Sequence, residues 1–143
     1  MDATPFLEFD SELVERNIDR MASWASTHGV DLRPHVKTHK SLELAHRQIA
    51  AGAIGVSVAT VGEAEVFAAG GITDIFIAYP LWVDDELARR LNDVSARCRL
   101  ILGVDSLESL RHALPRLSDR IEWRIEIDSG HHRTGVSPES AGM

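Results

Sequence analysis

The chain has 143 residues, 44% of them hydrophobic and 26% charged, the ordinary balance of a soluble globular protein. Its net charge of −7, with no run of Lys/Arg, excludes a general attraction to nucleic acid or to an anionic membrane surface. No apolar run approaches the roughly 20 residues that span a bilayer, and the single cysteine, Cys98, excludes an intramolecular disulfide framework.

Met1 to Phe6 lacks the basic stretch and apolar core of a secretion signal, so a cytoplasmic protein is expected. Glu12 to His28 then reads as a helix, with Leu13, Val14, Ile18, Met21, Ala22 and Ala25 on one face. Asp10 or Ser11 caps its start and Gly29 stops it. Leu32 to Val36 reads as a strand, and Leu42 to Ala51 as a helix ended by Gly52. The alternation repeats: strand Gly55–Ala59, helix Gly62–Ala69, strand Ile75–Tyr79, helix Asp84–Ala96, strand Leu100–Val104. Leu107 to Leu117 is helical apart from Pro115, and Ile121 to Ile127 is a fifth strand. Ser137 to Met143 reads as a loop leading into another helix.

Strands separated by single helices imply a parallel sheet. A doubly wound sheet and a (β/α)8 barrel of the TIM type both meet that requirement. Central strands of an open sheet are apolar on both faces. Here period-2 alternation puts Arg33, His35 and Lys37 on one face of the first strand, and Arg124, Glu126 and Asp128 on one face of the fifth. The barrel accommodates this, because one face of each strand points inward toward a site at the C-terminal rim. Five βα units cannot close an eight-stranded wall. Residues 1–143 are therefore expected to be the N-terminal part of one barrel domain, with the rest of the barrel lying beyond.

The densest chemistry is Arg33-Pro34-His35-Val36-Lys37-Thr38-His39-Lys40. One reading makes Lys37 a Schiff-base lysine. Such a lysine must lose its proton near neutral pH, and partial burial with neighbouring cations promotes that loss. Arg33 and Lys40 supply the cations in this reading, while His35 and His39 move protons. The plainer alternative is a solvated basic loop after a strand, and it is weakened because the shared face of Arg33, His35 and Lys37 should be enclosed.

This segment, continued to Ser41, resembles the cofactor-lysine motif of D-threonine aldolases and eukaryotic-type D-serine dehydratases. These belong to the alanine-racemase-like, fold-type III group of pyridoxal-phosphate enzymes. The resemblance continues through Gly55–Glu65 and Asp74–Pro80, and it is specific again at Glu126-Ile127-Asp128-Ser129-Gly130-His131-His132-Arg133-Thr134-Gly135-Val136. It implies a pyridoxal 5'-phosphate lyase acting on small D-configured β-hydroxy amino acids, with Lys37 carrying the cofactor. It also implies that Arg133 bonds the cofactor's phenolic oxygen, a role in which a cation favours the phenolate. The competing role for Arg133 is an ion pair with Asp128 that merely braces the turn.

His131 and His132 are adjacent on an extended segment and point apart, which makes them a poor metal chelate. One of them, His132, is assigned to the cofactor pocket. Relatives use a divalent metal whose ligands lie in their C-terminal part, so no metal ligand is assigned within this chain. Thr60 and Tyr79, at strand ends, are further candidates for cofactor contact. Glu63 and Glu65 read as acidic residues at a helix start. Trp24, Trp82 and Trp123 read as packing. Basic neighbours of Cys98, Arg97 and Arg99, could lower its pKa, but it has no catalytic partner and reads as inert.

No GxxxxGK[ST] is present, so a P-loop is not indicated. An amino-acid racemase of the same group and a non-catalytic pyridoxal-phosphate homeostasis protein remain as alternatives. A C-terminal β-domain beyond the barrel and homodimerisation of the full protein are implied by resemblance alone.

Overall fold

A computed structural model describes residues 8–140. The leaderless reading of Met1–Phe6, and Ala141–Met143 of the terminal loop, lie outside the described residues.

Five helices alternate with four strands. They are α1 (Ser11–Thr27), α2 (Leu42–Ala50), β1 (Val56–Val58), α3 (Val61–Ala69), β2 (Asp74–Ile77), α4 (Asp85–Ser95), β3 (Arg99–Val104), α5 (Leu107–Ala113) and β4 (Glu122–Ile125). Each helix starts on a side chain that accepts the amide three residues on: Asp10 from Leu13 (3.0 Å), Ser41 from Leu44 (3.2 Å), Thr60 from Glu63 (3.1 Å), Asp84 from Leu87 (2.8 Å) and Ser106 from Ser109 (3.2 Å). A cap of this kind is worth about 1 kcal/mol. Of the two residues able to cap α1, the structure uses Asp10. Helix α5 stops at Ala113, short of the expected Leu117: Leu114 still has helical geometry, but Pro115 has no N–H with which to continue the hydrogen-bond ladder.

All four strands are parallel, in the order β1-β2-β3-β4. That monotonic order is the progression of a barrel wall and has none of the reversal of a doubly wound sheet. Register explains the two faces. Val56, Val58, Ile75, Ile77, Leu100 and Leu102 point outward and are buried with Ala45, Ala64, Phe67, Leu91 and Val94 from the helices. The opposite face carries the row Ser57–Phe76–Ile101–Glu122 and, one step nearer the strand starts, Asp74–Arg99.

The expected strand over Leu32–Val36 is corrected. It is reduced to one parallel bridge, His35 to Ser57, flanked by the amides of Ile54 and Ser57 donating to the carbonyls of Leu32 (3.0 Å) and Pro34 (2.8 Å). Pro34 has no N–H with which to continue a ladder, and Val36–Thr38 turns immediately into a 3-10 helix. The fifth expected strand keeps residues Glu122–Ile125 as β4 and resumes as a single bridge, Ile127 to Val136.

Candidate active site

The charges of the inner face separate into two groups at opposite ends of the strands. At the N-terminal end, Asp74 receives Arg33 (2.6 Å) and Arg99 (2.7 Å), and Arg99 also grips both carboxylate oxygens of Glu122 (2.6 and 2.7 Å). Burial alone would raise the Asp74 pKa, but the two guanidinium groups prevail and hold it below the ordinary aspartate value. Gly55 makes room for this network: a Cβ there would lie 2.5 Å from Arg33 Nη1 and 2.6 Å from the Asp74 carbonyl oxygen. Arg33 is therefore committed to a carboxylate at the far end of the wall and does not stand beside Lys37, contrary to expectation. Cys98 is as inert as expected, although its basic neighbours do not lower its pKa. Burial, with Asp74 nearby, raises its thiol pKa to about 11, because Arg99 spends its charge on carboxylates.

At the C-terminal end, a cleft of about 600 Å³ is lined by His35, Lys37, Thr60, Tyr79 and Arg133 together with Val61, Leu81 and Leu87. Four segments deliver these residues. The turn Val36–Thr38 presents Lys37, whose amide donates to His35 Nδ1 at 3.4 Å. The β1–α3 junction presents Thr60, whose hydroxyl serves as the α3 cap. The segment after β2 presents Tyr79, and the turn after β4 presents Arg133, with its guanidinium carbon 5.9 Å from the centre of the Tyr79 ring. A second inner-face cleft, about 680 Å³ and lined by Arg33, Phe76, Arg99, Ile101, Arg124 and Glu126, lies toward the other end, where the cations are largely paired.

Among the described residues, neither Lys37 nor Arg133 forms an ion pair. Lys40 does: its Nζ lies 3.3 Å from Glu63 Oε1. Glu63 also accepts the Ala59 amide at 2.8 Å. Burial would raise the Glu63 pKa, but the Ala59 N–H, Lys40 and the Thr60 backbone together hold it below the ordinary value. Lys40 is thus neutralised in place, and its φ of +50° turns it away from the helical path of Lys37. The two lysines of the motif are told apart by geometry.

His35 is held below the usual histidine range, first by burial and then by the charge of Lys37, with Glu63 and a backbone bond at Ser57 pulling the other way. Its Nδ1 acts as an acceptor. His39 does not line the cleft: Nδ1 accepts the Ser41 amide at 3.0 Å, and Nε2 is buried without a partner among the described residues. Lys37 is exposed where enclosure was expected, because the four strands wall the cleft on one side only.

The turn that carries Arg133 is tied to its own strand. Asp128 accepts the amides of Gly130 (2.9 Å) and His132 (3.0 Å) and the His132 Nδ1–H (2.7 Å). Those bonds, led by the His132 amide, lower the Asp128 pKa to about 2. The bracing ion pair considered for Arg133 with Asp128 is absent; His132 occupies that place, outside the lining of the cleft. Thr134 Oγ1 donates to Glu126 Oε1 at 2.5 Å. Sequence reasoning missed the tethers through Glu126 and Glu63. Thr60-x-x-Glu63 has the spacing of a capping box, which was the available signal.

The cleft has groups that fit the aldehyde and the ring of an aromatic aldehyde, though not a phosphate on it. It offers an amine with no carboxylate bound to it, a second cation across from an aromatic ring, and apolar walls from Val61, Leu81 and Leu87. Its size falls in the range of small-molecule sites.

Residues 9–143 match the family model described as alanine racemase, N-terminal domain. The chain is 40% identical over 143 residues to D-threo-3-hydroxyaspartate dehydratase from a Delftia species, covering 98% of this chain and 37% of that protein. It is 36% identical to the D-threonine aldolase of an Arthrobacter species, covering 96% of this chain and 37% of the relative. The solved D-threonine aldolase of Filomicrobium marinum superposes with a TM-score of 0.89 at 37% identity, over 95% of this chain and 37% of that one. The chain thus spans little more than a third of the length of these relatives.

Proposed function

The chain belongs to the alanine racemase N-terminal domain family, and from that membership we propose that it forms the cofactor-lysine part of a pyridoxal-phosphate lyase acting on D-configured β-hydroxy amino acids. The observation that carries the reading is the pairing pattern at the C-terminal end of the sheet. Lys37 and Arg133 face one cleft without carboxylate partners, while the neighbouring cation Lys40 has one.

Each residue has a part in this proposal. Lys37 Nζ would hold the cofactor and can hold or release a proton at the cleft. Arg133 would favour the anionic form of a phenolic oxygen placed beside it. Tyr79, Thr60 and His35 would line the same pocket, with neutral His35 keeping the Lys37 backbone in its turn. His132 contributes from outside the cleft. Pyridoxal phosphate, when bound, withdraws electrons from the bond broken beside the substrate amino group, and the protein selects which bond that is. We place the divalent metal, the dimer contacts and the choice between aldol cleavage and dehydration in the remainder of the protein, and we place the protein in the cytoplasm.

Borohydride reduction of the intact protein with pyridoxal phosphate, followed by peptide mass spectrometry, tests the reading. A phosphopyridoxyl group on Lys37 is expected. A group on Lys40, or none, overturns it.

A further inference from the structure

Arg133 is flanked by two anchored neighbours, His132 on Asp128 and Thr134 on Glu126. The segment between the strand and the bridge is drawn tight: Asp128 N donates to Val136 O (2.8 Å) and Val136 N to Glu126 O (2.9 Å). A Cβ at Gly135, which has φ +99°, would sit 2.6 Å from Asp128 N. His132 adopts φ +57°, a left-handed conformation that costs an L-residue about 1 kcal/mol. It does so with a side chain 82% exposed, so burial does not repay that cost; the two bonds to Asp128 do.

A carboxylate five positions before an arginine in a tight turn is that arginine's natural partner, since charge-assisted Arg–carboxylate pairs are among the stronger polar contacts. Asp128 does not take Arg133, because three donors already fill it. We propose that His132 is a positioning residue: by occupying Asp128, it leaves Arg133 free to face the Lys37 cleft over Tyr79. Without the ring, Asp128 Oδ2 loses its donor and competes for the guanidinium, and the cleft loses its second cation. The role in cofactor binding rests on the proposed function; the competition between His132 and Arg133 for Asp128 does not.

The test therefore reads Arg133 directly, in the intact protein without cofactor. Phenylglyoxal modifies accessible, unpaired guanidinium groups, and the rate at Arg133 is followed by peptide mass spectrometry. His132→Gly removes the ring and accepts the positive φ, so it isolates the lost bond from backbone strain. Labelling of Arg133 is expected to slow about tenfold, the scale of one charge-assisted contact of about 1.4 kcal/mol. Adding Asp128→Asn to His132→Gly is expected to restore the wild-type rate. His132→Asn, whose amide can still donate to Asp128 in a left-handed conformation, is expected to keep it.

A titration of pyridoxal phosphate followed by absorbance should show the same order of affinities. Unchanged or faster labelling in His132→Gly, or a double variant no better than the single one, overturns the proposal; faster labelling is the result if the turn merely unravels. Labelling that follows the expected order while no variant binds pyridoxal phosphate supports the positioning role and removes the cofactor reading instead.

Discussion

The two ends of the sheet are built from the same residue types and treat them oppositely. At the N-terminal end, Arg33 and Arg99 converge on Asp74, Arg99 continues to Glu122, and a glycine clears the space they need. At the C-terminal end, the carboxylates Glu63, Asp128 and Glu126 are engaged by Lys40, His132 and Thr134, and two cations are left over to face a cleft. The difference teaches how to tell stabilising charge from working charge within a single fold. Paired cations support the wall, and unpaired ones convergent on a cavity are available to a ligand. The same division, with chemistry at strand C-termini and stability at their N-termini, is general in barrels.

Removing a working charge should leave stability intact. Lys37 is exposed and unpaired, so Lys37→Ala is expected to change unfolding free energy by no more than about 0.5 kcal/mol. Turnover of D-β-hydroxy amino acids by the intact protein should fall by about 10³-fold, the scale of losing a positioned proton-transfer group. Urea denaturation beside a steady-state assay measures both. A loss of several kcal/mol on removing Lys37 would break the comparison, because the upper end would then be structural as well.

The opposite signature is expected below. Asp74→Asn strands the Arg33 guanidinium, and should cost about 3 kcal/mol, the low end for breaking a buried pair because Arg99 is partly exposed and keeps Glu122. Labelling of Lys37 by pyridoxal phosphate and borohydride should be unchanged from wild type. Because the folded Asp74 pKa is depressed, its contribution is present above the ordinary aspartate value and is lost as pH falls through the folded one. The wild-type protein should therefore lose stability more steeply than Asp74→Asn below about pH 4. Gly55→Ala drives a Cβ into Arg33 and the Asp74 carbonyl, and should cost about 2 kcal/mol as overpacking, again with the cleft unaffected.

Much of this division was legible in the sequence, within limits that have physical causes. Alternation placed Arg33, His35 and Lys37 on one face, but it is silent about height. Each pair of extended residues advances the chain by about 7 Å, so Arg33 lies at one end of the wall and Lys37, four residues on in the turn Val36–Thr38, at the other, and their charges do not reinforce one another. The turn from Asp128 was recognisable as a motif, but the expectation of an extended His131–His132 segment fails at His132, whose φ is +57°. That His132 takes a left-handed conformation and folds onto Asp128 depends on long-range closure by the bridge from Ile127 to Val136, which no local propensity encodes. Pro34 announced its missing donor, yet whether the segment pairs as a strand or by one bridge is decided by what lies across from it, Ser57.

The smallest expected effect is also the most direct comparison of a paired with an unpaired cation, because His35 is a reporter of local charge. It lies beside Lys37, and burial together with that charge holds its pKa below the usual range. A depressed histidine favours its neutral form in the fold, so its contribution to stability is present above about pH 6.5 and is lost as pH falls through the folded value. The contribution is small, since the bond from the Lys37 amide to Nδ1 is long at 3.4 Å and one such bond is worth about 1 kcal/mol or less. The midpoint itself is measurable by NMR, and it should rise in Lys37→Ala, because the cation that depresses it is gone. In Lys40→Ala the midpoint should stay put or rise by much less, since Lys40 acts on His35 only by way of Glu63, which pulls the histidine upward; a rise as large as that in Lys37→Ala would mean the two lysines carry equal free charge. Equal shifts would sink the distinction between paired and unpaired cations at the point where it matters most, in the choice of Lys37 over Lys40.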